Sequence, residues 1–497
     1  MISAPVAQYP VPDHAAARDL GAALRSVGYS EDSLYRLLGE DAYSGDRDDA
    51  PVDDRRLPDT PVATAVRAFF LQLPVSRSDA VGALGERGVE ALEATGLAAV
   101  GDEVDPRVRI LPIGGLLLAS DGYSRDGDDP PDYVATYTPT ARVLDSLTPR
   151  PRVERALDVG TGSGVHALLA AQHARHVIAT DVNARALAYT ELNAALNGLT
   201  NVECRSGSLF EPVAGETFDL ITCNAPYVVS PERRWAYRDS GFQEDEVSAR
   251  VVQAAGEHLA EGGFASMLVS WLAEDEDSPD ERVVAWAEAT GCDSWILPTL
   301  GSDPLDHAAE WNSHLAGDAQ AFGEALDEWQ RYFERLGVRW VSEGAVLLHR
   351  RHGGGHAFRV DALDEEDLDE AGDQIQRAFE GRVRLSELGN PERLLDAHVS
   401  VAMPLRLERE VEPQGGRAID VEGRIELADG TKHAVDVTAD AQEVIASLDG
   451  GLTLGAVIEA TSDRLGLSDE ELAQLQDEAL DVSRLLLELG ALRARLD

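Results

Sequence analysis

The chain has 497 residues, 44% of them hydrophobic and 27% charged, and its 90 acidic against 43 basic side chains give a formal net charge of -47. A chain of this length exceeds one hydrophobic core, so we expect several globular domains. The acidic balance disfavours nonspecific nucleic-acid binding, because phosphates are neutralised by cationic side chains. The longest apolar stretch, Ile110 to Ala119, is about half of what crosses a bilayer, and the first residues lack the basic-then-apolar pattern of a secretory signal. We therefore expect a cytoplasmic protein without a membrane span.

Residues 1–131 are predicted to form a helical domain that ends in a small sheet. Apolar positions at helical spacing predict a helix over Val62 to Leu73 and two shorter helices between Ser78 and Ala94. Short strand-like segments follow within 96–120. Helices followed by a small sheet resemble a winged helix, a unit that binds a nucleic acid or a protein. The alternative is a packing or substrate-lid domain, which the acid-rich segment 76–96 favours because acids grip phosphate poorly.

Strand-like and helix-like segments alternate along residues 132–351. Buried-strand patterns at 155–160, 176–182, 202–208 and 218–224 are separated by segments of helical character. This alternation predicts a parallel sheet with helices on both faces. Because ligands of such sheets bind at the carboxyl ends of the strands, functional side chains are expected there. A helical insertion is predicted before the last strand of this domain.

Residues 352–497 are predicted to form a C-terminal α+β domain that begins after the glycine-rich linker 350–358. Strand-like segments occupy its first half and helices its second, an order that also resembles small winged-helix adaptor modules. Ser468 and Glu471 have the spacing of a capping box at the start of a long helix.

The chain offers few metal ligands in a usable pattern. His352 and His356 lack a neighbouring carboxylate or cysteine that would complete a site. The three cysteines, Cys204, Cys223 and Cys292, have no CxxC spacing, which argues against a disulfide framework and a structural zinc. We therefore expect no metal.

The stretch "LDVGTGSG" places Gly160, Gly162 and Gly164 between a predicted strand and a predicted helix. Glycines there let the backbone approach a ligand closely, and the helix N-terminus offers free N–H donors. Asp158 precedes the glycines, and the next strand ends at Asp181, about twenty residues on. A carboxylate at that position accepts hydrogen bonds from ribose hydroxyls in nucleotide-binding folds.

The stretches "LDVGTGSG", "ATDVN" and "FDLITCNAPYV" occur in the order and spacing of class I S-adenosylmethionine-dependent methyltransferases, which this chain resembles over about 220 residues. The third stretch is similar to the NPPY signature of enzymes that methylate planar nitrogens, namely adenine amines and the glutamine amide of translation release factors. The segment after it, "YRDSGFQEDEVSARVV", resembles the glutamine-type enzymes. The resemblance implies an α/β fold, with a Rossmann-like seven-stranded methyltransferase domain between the two end domains.

The resemblance implies S-adenosylmethionine as cofactor and a set of residues around it. In relatives, the segment corresponding to "YTPTARVLDSL" closes over the methionine end of the cofactor. Ser208 stands where relatives tend to have an aspartate for the adenine amino group, so a hydroxyl replaces a charged acceptor and affinity would be weaker. The implied cofactor-binding residues are Tyr137, Pro139, Thr140, Asp158, Gly160, Gly162, Gly164, Asp181, Val182, Ser208, Leu209 and Asn224.

The implied catalytic residues are Asn224, Ala225, Pro226 and Tyr227. A target NH2 group conjugated to a carbonyl or ring must be held and aimed at the sulfonium methyl. The Asn224 side-chain oxygen accepts one N–H and the Ala225 carbonyl the other. Tyr227 supplies a flat face, and Pro226 keeps Ala225 out of the α region. Alanine in place of the first proline of NPPY keeps the acceptor, which is a main-chain group.

We expect an S-adenosylmethionine-dependent N-methyltransferase whose macromolecular acceptor is a protein glutamine. The close alternative is an adenine in RNA or DNA, since Arg233, Arg234 and Trp235 follow the motif and the end domains would recruit structured RNA. A third hypothesis is a binding protein that keeps the cofactor fold without turnover, on account of Ala225 and Ser208.

Overall fold

The computed structural model describes residues 10–11, 13–40, 42–43, 49–122, 130–224, 226–231, 244–353, 356–364, 368–414 and 417–496. Its contacts group into two compact units. The first comprises Met1–Arg142, Pro151–Thr290 and Leu300–Val346, and the second Val143–Arg150, Gly291–Thr299 and Leu347–Asp497. This grouping differs from the three domains that the sequence predicts, and the three-domain division stays a prediction.

The first unit opens with helices, namely α1 (His14–Ser26), α2 (Glu31–Leu38), α3 (Ala50–Arg56), α4 (Pro61–Ala65) and α5 (Arg77–Thr95). The helix predicted over Val62 to Leu73 is present as α4 and a π-helical continuation, Val66–Phe70. The two shorter helices predicted after Ser78 are joined into α5, which is kinked at Gly85, where φ is 71°. Only glycine adopts that backbone conformation at little cost, so the kink is encoded by this residue.

Short strands follow the helices. They are β1 (Val75–Ser76), β2 (Ala98–Val100), β3 (Glu103–Pro106), β4 (Val108–Ile113) and β5 (Leu116–Asp121). The first three form an antiparallel sheet in the order β1-β3-β2, and β4 pairs with β5 as an antiparallel hairpin. Helices followed by small sheets are therefore present as expected, while their likeness to a winged helix stays a prediction.

One sheet in the described residues has eight strands in the order β13-β11-β12-β10-β9-β6-β7-β8. These strands are β6 (Val153–Val159), β7 (Ala174–Asp181), β8 (Val202–Ser206), β9 (Phe218–Cys223), β10 (Leu259–Ala273), β11 (Asp293–Ser302), β12 (Trp340–His349) and β13 (Phe358–Val360). The strand pairings from β8 through β10 are parallel, as the alternating pattern predicts. The sheet has one strand more than the seven expected. The strand Phe358–Val360, which begins at the last residue of the predicted linker 350–358, pairs in parallel with β11.

Helices connect the strands of this sheet. They are α6 (Pro139–Leu147), α7 (Val165–Ala171), α8 (Ala184–Leu196), α9 (Glu246–His258), α10 (Glu281–Ala289), α11 (Pro304–Trp311) and α12 (Ala319–Leu336). The last two form the insertion that the sequence predicts before the final strand of the domain. Each of α8, α11 and α12 begins at an Asn or Asp whose side chain accepts a hydrogen bond from the first turn.

The N-terminal helices share one hydrophobic core with α7 and α8. This core includes residues from Ala17 in α1 to Leu196 in α8. Helix α1 approaches α8 so closely that a Cβ on Gly21 would lie 2.0 Å from the Leu196 carbonyl oxygen. Asn193 is fully buried, and its amide nitrogen donates to the carbonyls of Ala119 (2.7 Å) and Ser163 (2.8 Å) while its oxygen accepts the Ala119 N–H (2.8 Å). One side chain thus joins β5, α8 and the loop before α7.

The second unit contains helices and antiparallel strands. Its helices are α13 (Gly372–Leu388), α14 (Ala439–Ala446), α15 (Leu454–Leu465) and α16 (Asp469–Glu488), and its remaining strands are β14 (His398–Val401), β15 (Leu405–Gln414), β16 (Arg417–Leu427), β17 (Ala434–Val437), β18 (Asp449–Thr453) and β19 (Leu492–Arg495). The strands form two sheets, ordered β18-β14-β19 and β15-β16-β17. The capping box predicted at Ser468 and Glu471 is confirmed.

Among the described residues, no helix is both long and apolar enough to span a membrane. The same residues contain no group of three or more His, Cys, Asp or Glu side chains placed to hold a metal ion.

Replacing Asn193 by Ala should destabilise the first unit by at least about 2 kcal/mol, because three buried backbone groups lose their partner and each costs roughly 1–3 kcal/mol. Urea unfolding measures the change. Glu191→Ala, a partly exposed change on the same helix, should alter the unfolding free energy by less than about 0.5 kcal/mol. Equal stability of the two variants would contradict the joining role of Asn193.

Candidate active site

The carboxyl ends of three neighbouring strands lie level at one edge of the sheet. Val159, the last residue of β6, pairs with Thr180 of β7 on one side and with Cys223 of β9 on the other. The residues that come next are Gly160, Asp181 and Asn224. The register therefore brings the three predicted motifs together, although 64 residues separate the first motif residue from the last.

The loop from Gly160 to Gly164 has the conformation that its glycines permit. All three glycines have positive φ angles, of 68°, 55° and 89° in chain order. The N–H groups of Gly160 and Thr161 donate to the Thr180 carbonyl at 2.9 and 3.0 Å. A Cβ on Gly164 would lie 2.8 Å from the Thr190 hydroxyl oxygen, whereas one on Gly162 would meet nothing within 4 Å. Gly164 thus permits close helix packing, and Gly162 faces open space.

Asp158 lies beneath this loop and is 1% exposed. Its carboxylate accepts hydrogen bonds from the hydroxyls of Thr161 (2.7 Å) and Thr222 (2.8 Å) and from the Ala167 N–H (3.2 Å). These donors come from the loop, from β9 and from α7, so one carboxylate fixes all three. Desolvation by burial outweighs the hydrogen bonds and raises the pKa of Asp158 to about 6.

Asp181 ends β7, and its carboxylate accepts the N–H groups of Gly162 (3.0 Å) and Asn183 (2.8 Å). Burial raises the pKa of Asp181 above its ordinary value, while those backbone donors lower it. Val182 follows with 63% of its surface exposed, between the half-buried Asp181 and Asn183. The carboxylate and the valine together present an acceptor beside an apolar face.

Ser208 and Leu209 lie in the turn after β8, close to the same edge. Leu209 has a φ of 48°, which is rare for a branched residue, and its carbonyl accepts the Thr180 hydroxyl at 3.2 Å. The Gly207 N–H donates to the Asp181 carbonyl at 3.1 Å. Non-glycine residues in this backbone region cluster at functional sites, which supports the assignment of the turn to the site.

Asn224 is half-buried directly after β9, and its amide nitrogen lies 3.5 Å from the Thr140 hydroxyl, a long hydrogen bond. Thr140 in turn lies 2.9 Å from the Thr138 hydroxyl. The predicted segment from Tyr137 to Thr140 is thus brought to Asn224, with Tyr137 half-buried and Pro139 exposed at the start of α6. The contact between Thr140 and Asn224 was not predicted from the sequence.

The remaining motif residues are described only in part. Ala225 and residues 232–243, which include Arg233, Arg234 and Trp235, lie outside the described residues. Pro226 and Tyr227 are half-buried, and the Tyr227 carbonyl accepts a hydrogen bond from the hydroxyl of Ser270 in β10. The main chain after Asn224 is therefore tied to the next strand.

A helical insertion supports the segment after the motif. His307 in α11 is 1% exposed, and its Nε2 lies 3.3 Å from the Val229 carbonyl oxygen. Its ring packs among Trp329 and Phe333 of α12, in a cluster that also contains Val228 and Val229. Nothing in the local sequence of α11 predicts this contact, because His307 and Val229 are 78 positions apart.

Several residues that shape the site were missed by sequence reasoning. Thr161 and Thr222 donate to Asp158, Ser270 holds Tyr227, and Asn183 caps α8 beside Asp181. Thr161 lies inside the glycine motif, three residues after Asp158, and its position could have indicated a hydrogen bond to that carboxylate. Thr222 and Ser270 carry buried hydroxyls within apolar strands. Because an unpaired buried hydroxyl is costly, their presence there indicates that each has a hydrogen-bond partner.

Comparison with known proteins accords with this geometry. Residues 138–271 match the family model described as the methyltransferase small domain. The matched segment contains the glycine loop, Asp181 and Asn224. Residues 26–110 match a second family model, a domain of unknown function named DUF7059, which corresponds to the N-terminal helices and strands.

Curated proteins that are similar to this region include glutamine methyltransferases. A release factor glutamine methyltransferase of Xylella fastidiosa is 36% identical over 129 residues, covering 24% of this chain and 47% of the relative. A ribosomal protein uL3 glutamine methyltransferase of Bradyrhizobium diazoefficiens is 34% identical over 170 residues, covering 28% and 52%. The chain spans about half the length of the curated relatives it matches.

A crystal structure of a methyltransferase from Pyrococcus furiosus is 17% identical and covers 47% of this chain and 89% of its own, with a TM-score of 0.29. That score is too low to carry an argument, so the fold assignment rests on the strand order and on the family match.

The raised pKa of Asp158 predicts a pH dependence of stability. A folded-state pKa of about 6 against 3.8 means that the folded protein keeps a proton which the unfolded chain releases, so stability falls as pH rises through this window. Ionising Asp158 in the folded protein lowers the free energy of unfolding by about 3 kcal/mol in full. Roughly 1 kcal/mol of this is lost between about pH 5 and pH 7.

Asp158→Asn lacks this titration and serves as the reference. The unfolding free energy of the natural protein minus that of Asp158→Asn, measured in urea, should fall by about 1 kcal/mol between about pH 5 and pH 7. Parallel pH profiles for the two proteins would show that burial does not perturb this carboxyl.

Proposed function

We propose that the protein transfers a methyl group from S-adenosylmethionine to a planar nitrogen, specifically the side-chain amide of a glutamine in another protein. The observation that carries the proposal is the level placement of the glycine loop, Asp181 and Asn224 at one edge of the sheet. The curated relatives named as glutamine methyltransferases support the choice of acceptor. Metal chemistry is not part of the proposal.

The residues present fit the cofactor. Gly162 faces open space, so a ligand reaches the loop backbone without meeting a side chain. Asp181 accepts backbone hydrogen bonds from Gly162, Asn183 and Val182, and its carboxylate has further lone pairs to offer to ribose hydroxyls. The exposed Val182 side chain offers an apolar face to adenine. When bound, S-adenosylmethionine supplies a methyl group on a sulfonium centre. Ser208 and Leu209 would border the adenine, and Tyr137, Pro139 and Thr140 the methionine end.

On the acceptor side, Asn224 would orient the glutamine amide. Its nitrogen is directed at Thr140, so the amide oxygen is left to accept an N–H of the target. The Ala225 carbonyl would accept the second N–H, and Tyr227 would provide the flat face. Catalysis of this displacement depends on orientation and on polar groups aimed at the reacting nitrogen rather than on a strong base.

The end regions would serve acceptor recognition. We propose that residues 1–131, in a winged-helix-like arrangement, and the α+β region 352–497 recruit the macromolecular acceptor, with a protein favoured over RNA because of the net charge of -47. This acceptor would be met in the cytoplasm.

The function is tested by incubating the protein with radiolabelled S-adenosylmethionine and cell lysate, followed by protease or ribonuclease. Label that survives ribonuclease but not protease supports the protein acceptor. Label released by ribonuclease identifies RNA and overturns the choice of glutamine. A complete lack of label, with bound cofactor shown by calorimetry, would identify a binding protein without turnover.

Asn224→Ala should lower the single-turnover transfer rate by roughly a hundredfold while leaving cofactor affinity nearly unchanged, because one positioned polar group is removed at the reacting nitrogen. Asn390→Ala is the matched control, since it removes the same side chain from the N-cap of a short 3-10 helix in the second unit. A stable Asn224→Ala protein with the natural transfer rate would contradict the mechanism. Ala225→Pro, which keeps the carbonyl, should be tolerated.

Asp181→Ala should weaken cofactor binding by roughly 1.5–3 kcal/mol, the value of a charge-assisted hydrogen bond. Calorimetric titration measures it. Asp219→Ala is the matched control, because Asp219 also accepts two backbone N–H groups, from Glu154 (3.1 Å) and Arg155 (2.9 Å), at the opposite end of the same sheet. Equal affinities for the two variants would remove Asp181 from the cofactor site.

A further inference from the structure

We propose that Asp121 and Arg185 are positioning residues that hold residues 130–140, here termed the strap, across the carboxyl edge of the sheet above the glycine loop, and thereby set the affinity for the cofactor. The inference rests on the proposed function, since it concerns the same site. Neither residue belongs to a recognised motif, and both lie in the first unit.

Asp121 is the last residue of β5 and is 5% exposed. Its carboxylate accepts hydrogen bonds from the Tyr189 hydroxyl (2.6 Å), from the Val134 N–H (2.8 Å) and from the guanidinium of Arg185. The Asp121 N–H donates back to the Val134 carbonyl at 3.1 Å. Two hydrogen bonds in opposite directions therefore pin Val134, in the first half of the strap, to the end of β5.

The same half of the strap is joined to the turn that holds Asp181. The Asn183 amide nitrogen donates to the Asp132 carbonyl at 3.0 Å, and Arg185 lies 3.9 Å from the Asp132 carboxylate. Asn183 also donates its backbone N–H to Asp181. Asn183, the N-cap residue of α8, thus contacts both Asp181, the predicted ribose acceptor, and the strap.

The second half of the strap ends on the other side of the loop. Thr140 contacts Asn224, which follows β9, whereas Asp132 contacts Asn183, which follows β7. In the sheet, β6 lies between β7 and β9, so the two contacts are two strand spacings apart, or roughly 10 Å. Eight residue steps reach that distance easily, at up to about 3.3 Å each. The direct course between the two contacts crosses the end of β6, where the glycine loop begins.

The ion pair between Asp121 and Arg185, here termed the anchor, is sensitive to substitution because it is largely buried. Arg185 is the cation next to a carboxylate that is almost completely removed from water, and 15% of the arginine side chain is exposed. Removing one partner of a buried ion pair leaves an uncompensated charge, which forces the surrounding groups to rearrange. The groups that would rearrange are Val134 and Asp132 of the strap, not residues of the loop itself.

The experiment is calorimetric titration of the full chain with S-adenosylhomocysteine. Asp121→Asn and Arg185→Gln should each weaken binding roughly tenfold, and the double variant should weaken it by no more than about the larger single effect, because the two residues act as one anchor. Tyr189→Phe, which removes one hydroxyl and keeps the ring, should have a smaller effect in the same direction. The unfolding free energy of each variant is measured alongside.

Arg155→Gln is the matched control. Arg155 forms a partly buried ion pair with Glu216 at the opposite end of the sheet, so its loss tests stability without touching the strap. It should leave the affinity for S-adenosylhomocysteine within about twofold of the natural value. Natural affinity in folded Asp121→Asn and Arg185→Gln proteins would overturn the inference alone, whereas a natural protein that fails to bind S-adenosylhomocysteine would overturn the proposed function as well.

Hydrogen exchange on the natural protein provides a second test that needs no variant. S-adenosylhomocysteine should slow exchange of the Val134 amide at least roughly tenfold, because the strap would be closed over a bound ligand, while amides of β4 should change little. Unchanged exchange at Val134 with saturating ligand would overturn the role of the strap even if the variants proved too unstable to purify.

Discussion

The buried carboxylate of Asp158 is the interaction on which the rest of the site depends. It contacts the glycine loop through Thr161, the helix behind the loop through Ala167 and the neighbouring strand through Thr222. The three hydrogen bonds to Asp158 do not fully offset its desolvation, so ionising this carboxyl lowers the stability of the folded protein. The raised pKa of Asp158 measures that loss. In return, the one carboxylate holds the loop, α7 and β9 together at the edge where the strand register places the strand ends level.

The N-terminal helices pack directly against the helices that flank the central sheet. The helix α1 packs on α8 where Gly21 lacks a side chain, and Arg25 donates to the Leu196 carbonyl at 3.0 Å. Asn193 then ties α8 to β5, and β5 leads to Asp121 and the strap. The contacts with α8 come from α1, which ends at residue 26, where the match to a family of unknown function begins. Recognition of a partner and support of the cofactor site are compatible roles for the N-terminal region.

The sequence predicted the central sheet well because a parallel sheet covered on both faces imposes a repeating pattern of apolar strands and amphipathic helices. It also placed Gly160, Asp181 and Asn224 at strand ends, where the structure has them, while their roles in binding and catalysis stay predictions. The shared core was not predictable, because the approach of Gly21 to Leu196 depends on positions 175 apart with no local signature. The strand Phe358–Val360 was missed because three residues are too few to show periodicity.

The central claim is that the level strand ends form a cofactor site, and the most direct measurement is a crystal structure of the protein with S-adenosylhomocysteine. The account predicts ribose hydroxyls within hydrogen-bonding distance of Asp181, adenine beside Val182 and the sulfur close to Asn224. Electron density for the ligand away from this edge, or ribose turned away from Asp181, would contradict the account.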